Sequence, residues 1–289
     1  MNNLQNISIV LTFLALWISN FFDTRMETTA AFVLIFSIGI IHGSNDIQII
    51  QKVQSRQQSF FRILAAYVIT VILVAILFYA LPRLALTIFI LISAYHFGEQ
   101  HFHELKIKTR ILKTLFFGFY GLTLLLMLLY CHWIKAAEVI DQISGVKIEG
   151  SYFLYGFVGS GLGMLSLGFY LVYTKVLSSW YKELFYLLIL YIIFKSASLI
   201  WGFAIYFVIW HSLPSMLDQV KFLSGAISKK SIWIYVKSSL IYWLMAILGM
   251  AVFFYLFRDQ DQLFLTLFFT FLAAITFPHV LVMHKLFDH

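Results

Sequence analysis

The chain has 289 residues, 62% of them hydrophobic and only 11% charged, with mean hydropathy +0.90; this leaves too little polar surface to coat a soluble globule. Its long runs are apolar on every side, which excludes a β-barrel, whose strands alternate apolar and polar residues. The formal charge of +7 is scattered through short loops, so no nucleic-acid partner is expected, and the single cysteine, Cys131, excludes an intramolecular disulfide or a multi-thiolate metal site.

The expected fold is therefore all-α: a polytopic membrane bundle of about ten transmembrane helices, range eight to ten, forming a single domain over 1–289. The start, Met1 to Asn6, lacks the positive segment of a cleaved signal peptide, so the first apolar run is expected to stay as a span. In chain order the predicted spans are 7–22, 29–50, 60–82, 84–100, 111–133, 151–174, 180–195, 198–217, 232–257 and 263–285. The stretch 180–217 is too long to cross a hydrocarbon core of about 30 Å as one helix, and Lys195-Ser196-Ala197-Ser198 is the natural break.

With that break, His42, His96, His211 and His279 stand toward the C-terminal ends of spans two, four, eight and ten, and so approach one membrane face. Fourteen of the twenty basic residues, among them Lys52, Arg56, Arg62 and Lys285, follow even-numbered spans. Arg25, Arg83, Lys135, Lys147, Lys195 and Arg258 lie on the other side. The positive-inside bias then places the histidine face and both termini in the cytoplasm, with the protein in the cell's inner membrane.

Histidine within a span costs free energy unless it is paired, hydrated or bound, and neutral imidazole is a good ligand for iron, zinc or copper. For any one such residue the plain alternative is a hydrogen bond to a neighbouring helix. Four on one face point to a shared metal site. His42 stands one turn before Asp46, and the i, i+4 spacing puts both side chains on one helical face, so the carboxylate can take its second N–H; an N-terminal cap or a loop acid at the membrane surface is the alternative. Gly43 leaves room for a close neighbour. His96 is followed on its own face by Glu99 and Gln100, whereas His101 points about 140° away. His101 remains a candidate ligand if the helix ends near Gly98, and His103 reads as a solvated loop residue. Pro214 and Pro278 adjoin His211 and His279, and kinks there suit a cavity wall. Tyr95, Tyr206, Phe207 and Trp210 can line a tunnel for a flat apolar molecule or serve as ordinary packing. No role is assigned to His132, His284 or His289.

Four stretches, His42-Gly43-Ser44-Asn45-Asp46, His96-Phe97-Gly98, Tyr206 to Ser212, and Pro278-His279-Val280-Leu281, resemble the bacterial Brp/Blh-type β-carotene 15,15′-dioxygenase family of integral membrane proteins. They occur in that family's order and with similar separations, from the second span onward. The resemblance implies an Fe(II) enzyme that splits the central double bond of β-carotene with O2 to give two molecules of retinal, often to supply a rhodopsin. It places His42, His96 and His211 on iron-ligand positions and His279 on the family's Pro-His pair. One position departs: where the family has a second histidine four residues after the one matched by His211, this chain has Ser215, a poor iron ligand. His279 or His101 can then supply a fourth ligand, or a coordination position stays open for O2 or water, or the protein binds a carotenoid without cleaving it.

Other classes fit less well. A membrane di-iron hydroxylase needs several closely spaced histidine pairs that are absent, and haem needs only one or two axial histidines. A transporter using intramembrane histidines as a proton relay would keep its activity under chelation.

Overall fold

The structure, a computed structural model, describes residues 2–54, 59–256 and 264–288; Arg56, Arg258 and His289 lie outside them. Among the described residues the chain is helical throughout, with no strand. The helices are α1 (Asn2–Ser19), α2 (Thr24–Leu34), α3 (Asp46–Val53), α4 (Phe60–Ala80), α5 (Pro82–Phe102), α6 (Arg110–Cys131) and α7 (Trp133–Ser144). They continue with α8 (Gly150–Tyr173), α9 (Trp180–Ser196), α10 (Leu199–Ile205), α11 (Leu213–Ser224), α12 (Lys229–Leu256) and α13 (Phe264–Phe287). Two wider π-helical segments, Ile35–Gly39 and Tyr206–Ser212, continue α2 and join α10 to α11.

Six stretches among the described residues are helical, long and apolar enough to cross a membrane: Phe60–Ala80, Arg110–Cys131, Gly150–Tyr173, Leu199–Ser224, Lys229–Val252 and Leu267–Phe287. The protein is a helical membrane protein, but the expected ten spans reduce to six by this measure. The reasons are local. The run 29–50 is interrupted by a non-helical turn at 42–45, and α9 has only 17 residues. Helix α5 carries His96, Glu99, Gln100 and His101 in its last two turns. The expected break after Lys195 is present: α9 stops at Ser196, and the Ser198 hydroxyl caps α10 by accepting from the Trp201 N–H at 3.3 Å. Glu27 adds a carboxylate at the same helix start, accepting the Ser198 N–H at 3.0 Å.

The backbone groups into two compact units, Met1–Val33 with Ile90–Asp141 and Val146–His211, and Leu34–Phe89 with Gln142–Gly145 and Ser212–His289. In the first, α6 packs along α8 and also against α9 and α10. Helix α5 meets α6 at two glycines: a Cβ on Gly98 would lie 2.0 Å from the Phe117 carbonyl oxygen, and one on Gly121 would lie 1.8 Å from that of Ala94. Backbone contact this close is how small residues hold membrane helices together, and it fixes the register of His96 between Ala94 and Gly98.

In the second unit α13 packs against α4, α3 and α12, and α11 against α12 and α3. Val74, Phe78, Ala85, Ala273 and Ala274 form one core; Ile49, Val282, Met283 and Leu286 form another. Helix α13 runs uninterrupted through Pro278. Pro214 follows directly on the π segment, inside the helical stretch Leu199–Ser224. Helix α11 ends at Gly225, whose φ of +79° a side chain would strain.

The glycine crossing gives a first prediction. Gly98→Ala and Gly121→Ala force α5 and α6 apart and are expected to destabilise the protein by about 3 kcal/mol each. Gly118→Ala, where an added Cβ meets nothing within 4 Å, is expected to be neutral or mildly stabilising. Thermal unfolding of the three variants in detergent distinguishes these outcomes.

Candidate functional site

The second unit brings His42 and His279 together. His42 ends the helical run that includes the π segment Ile35–Gly39, and His279 lies in the middle of α13. Both are buried, with ring centroids 4.7 Å apart and planes at 88°, and a nitrogen of one lies within 4.8 Å of a nitrogen of the other. Gly43 faces the second ring: a Cβ there would stand 3.4 Å from His279 Nδ1, an ordinary van der Waals contact.

Each of these rings is oriented through Nδ1. His279 Nδ1 lies 3.0 and 3.1 Å from the two Asp46 carboxylate oxygens. Asp46 is 1% exposed and also accepts the Tyr67 hydroxyl at 2.9 Å. His42 Nδ1 faces the Gly39 carbonyl oxygen, with the Ser212 hydroxyl at 3.2 Å. An acceptor beside Nδ1 holds the proton there and leaves Nε2 as the nitrogen able to ligate a metal. Asp46 therefore stands behind His279 rather than behind His42. The expected i, i+4 pairing assumed a continuous helix, and the turn at 42–45 removes that geometry.

Around the same turn lies a polar network that the sequence barely signals. Gln219 on α11 donates to the His42 carbonyl at 2.8 Å and to Ser215 Oγ at 3.1 Å. Tyr235 on α12 donates to Gln219 Oε1 at 2.9 Å, with the His42 carbonyl also in reach at 3.2 Å. Asn45 donates to Ser239 Oγ at 2.5 Å and to the Tyr235 carbonyl at 3.2 Å, and accepts from Ser238 at 2.9 Å. Ser215 is thus fully buried and engaged as an acceptor. The one available signal was the presence of Gln219 and Asn45 beside apolar runs.

The first unit brings His96 and His211 together. Both are buried, with centroids 4.9 Å apart. His211 sits in the π segment with Phe207 stacked on it at 5.6 Å, Phe203 stacked on Phe207 at 5.2 Å, and Phe97 edge-on at 4.8 Å. Glu99, fully buried, accepts the Tyr95 hydroxyl at 2.9 Å on the same helix. His101 is placed elsewhere in this unit: its Nε2 lies 2.6 Å from the Glu183 carboxylate and its ring stacks on Tyr120 at 5.0 Å. His103 Nδ1 lies 3.0 Å from the Gln100 carbonyl oxygen. The partner acid Glu183, charged and near the start of a short apolar helix, was missed at the level of sequence.

Among the described residues each unit therefore contains one buried pair of histidines, a donor type suited to a first-row transition metal. No curated protein and no solved structure matches the chain. A family model described as beta-carotene 15,15′-dioxygenase matches residues 33–287, a stretch that includes all four of these histidines along with Asp46 and Ser215. On that match over most of its length, the chain belongs to the beta-carotene 15,15′-dioxygenase family.

Proposed function

We propose that the protein is a non-haem iron oxygenase that splits the central 15,15′ double bond of β-carotene with O2, giving two molecules of retinal. His42, His96, His211 and His279 are the proposed ligands, with Asp46 and Glu99 behind them, and residues 1–289 act as one domain. Family membership supports carotene-dioxygenase chemistry; the ligand set rests on the chain's own histidines. The observation that carries the reading is the orientation of His279 and His42, each with Nδ1 against an oxygen acceptor and Nε2 left as the nitrogen able to ligate a metal. Neutral imidazoles of this kind fit Fe(II). Bound Fe(II) supplies the one-electron chemistry by which O2 reacts with a closed-shell polyene.

The residues do the rest. Asp46 holds the His279 proton at Nδ1 and so keeps the ring from turning. Phe97, Phe203, Phe207 and Tyr206 offer ring faces and edges near His211 on which a flat conjugated chain stacks, and they keep water out. The bias of basic residues favours an inner-membrane location with both termini and the histidines toward the cytoplasm. A rhodopsin is a fitting consumer of the product. Ser215 favours a second reading, a carotenoid-binding protein that does not cleave, because it removes a ligand that the resemblance leads one to expect.

Expression in bacteria that accumulate β-carotene, with iron supplied, separates the two. Retinal accumulating as carotene falls is the expected result; intact carotene co-purifying with the protein establishes the second reading. Alanine at His42, His96, His211 or His279 is expected to abolish retinal formation with membrane insertion unchanged, and a fully active His96→Ala protein removes the ligand assignment. Asp46→Asn is expected to weaken metal binding about 10- to 100-fold. Tyr67→Phe, which leaves the Asp46–His279 contact in place, is expected to cost less in the same metal titration.

A further inference from the structure

We infer that Gln219 and Tyr235 are positioning residues for His42, acting through its backbone carbonyl, and that Ser215 serves this clamp rather than the metal. The inference rests on His42 being a ligand, as proposed above.

His42 closes the helical run with its N–H on the Ile38 carbonyl at 3.3 Å, and residues 42–45 then form a turn in which the Asp46 N–H goes to the Gly43 carbonyl at 3.3 Å while side chains meet the His42 carbonyl. In an apolar bundle that carbonyl must be satisfied by side chains. Gln219 Nε2 donates to it at 2.8 Å and the Tyr235 hydroxyl lies at 3.2 Å. The two are tied to each other through Gln219 Oε1 at 2.9 Å, so neither moves without the other. Ser215 Oγ accepts from the same Gln219 amide group at 3.1 Å, one helical turn earlier on α11, and fixes its rotamer. Gln219 and Ser215 are 0% exposed and Tyr235 is 2% exposed, so water does not substitute for any of them. Three residues further along the turn, Asn45 is held by Ser238, Ser239 and the Tyr235 carbonyl. Both ends of the turn thus hang on α12, while the Nδ1 contacts of His42 with Gly39 and Ser212 set only the rotation of its ring. Ring rotation and ring position are controlled by separate groups, and the clamp controls position.

The test uses the full-length protein in detergent, with Co(II) as a spectroscopic probe of ligand geometry. Gln219→Met keeps length and removes both donors; it is expected to weaken Co(II) binding about 10- to 100-fold and to alter the visible ligand-field bands. Tyr235→Phe is expected to act in the same direction but less. The double variant is expected to cost little more than Gln219→Met alone, because both act on one carbonyl. Ser215→Thr, which keeps the hydroxyl, should retain wild-type binding, whereas Ser215→Ala should show part of the loss. A purely structural role would lower the melting temperature equally with and without Co(II), leaving affinity and bands unchanged. That outcome in whichever of Gln219→Met and Tyr235→Phe folds overturns the inference alone. Wild-type protein that takes up no Co(II), or takes it up equally as His42→Ala, overturns the ligand assignment and this inference with it.

Discussion

A carboxylate 1% exposed among apolar helices is the constraint from which much of the second unit follows. Left alone, the Asp46 charge would cost several kcal/mol, about the penalty seen when one partner of a buried ion pair is removed. It is compensated by His279 from α13 and Tyr67 from α4, so one acid on α3 draws three helices to a point. The apolar packing continues from there with helical spacing. Three residues past Asp46 is Ile49, three past His279 is Val282, and these two share a core with Met283 and Leu286. The polar contact and the apolar seam lie on the same helix faces, so the pairing that orients the imidazole also sets how α3 and α13 pack.

Two π-helical segments lie at His42 and His211; at His211 the widened turn takes the place of the expected proline kink, whereas at His279 α13 runs on through Pro278. Ile35–Gly39 lies just before His42, and the carbonyl of its last residue is the one that receives the His42 ring. Tyr206–Ser212 includes His211 itself. A widened turn shifts the side chains that follow relative to the regular 100° step, and it loosens the backbone hydrogen bonding so that a carbonyl becomes available to a side chain. Pro214 sits immediately after the second segment, inside the helical stretch Leu199–Ser224.

What was readable in the sequence was what is local. The break before α10 could be seen because Ser198 is a capping residue after an overlong apolar run, and the four buried histidines could be picked out because each interrupts one. The number of spans could not be read well, since an apolar window covering 29–50 does not register the turn at 42–45. That same turn misdirected the Asp46 assignment from His279 to His42. The clamp was invisible for a different reason: Gln219 and Tyr235 are separated from His42 by 177 and 193 positions, and no periodicity links them. Ser215 shows the limit most clearly, because sequence alone could register only the ligand it fails to be.

The two histidine pairs differ in their surroundings, and the difference bears on the proposed chemistry. His42 and His279 are surrounded by oxygen and amide groups, Asp46, Ser212 and the Gly39 carbonyl at the rings, Gln219 and Tyr235 at the backbone. His96 and His211 have ring faces and edges of Phe97 and Phe207 beside them, with Tyr206 edge-on to Phe97. A polar setting fixes proton and rotamer, which a metal ligand needs, but it offers nothing to a hydrocarbon. An aromatic setting offers a polyene a surface of matching polarizability with no hydrogen bonds to satisfy. On the proposed reading, then, specificity for a carotenoid resides mainly on α5 and α10 with the π segment after it. Control of His42 and His279 resides mainly on α3, α11, α12 and α13. Substitutions of Phe97 or Phe207 should change which polyene is accepted before they change metal content, and substitutions of Asp46 or Gln219 should do the reverse.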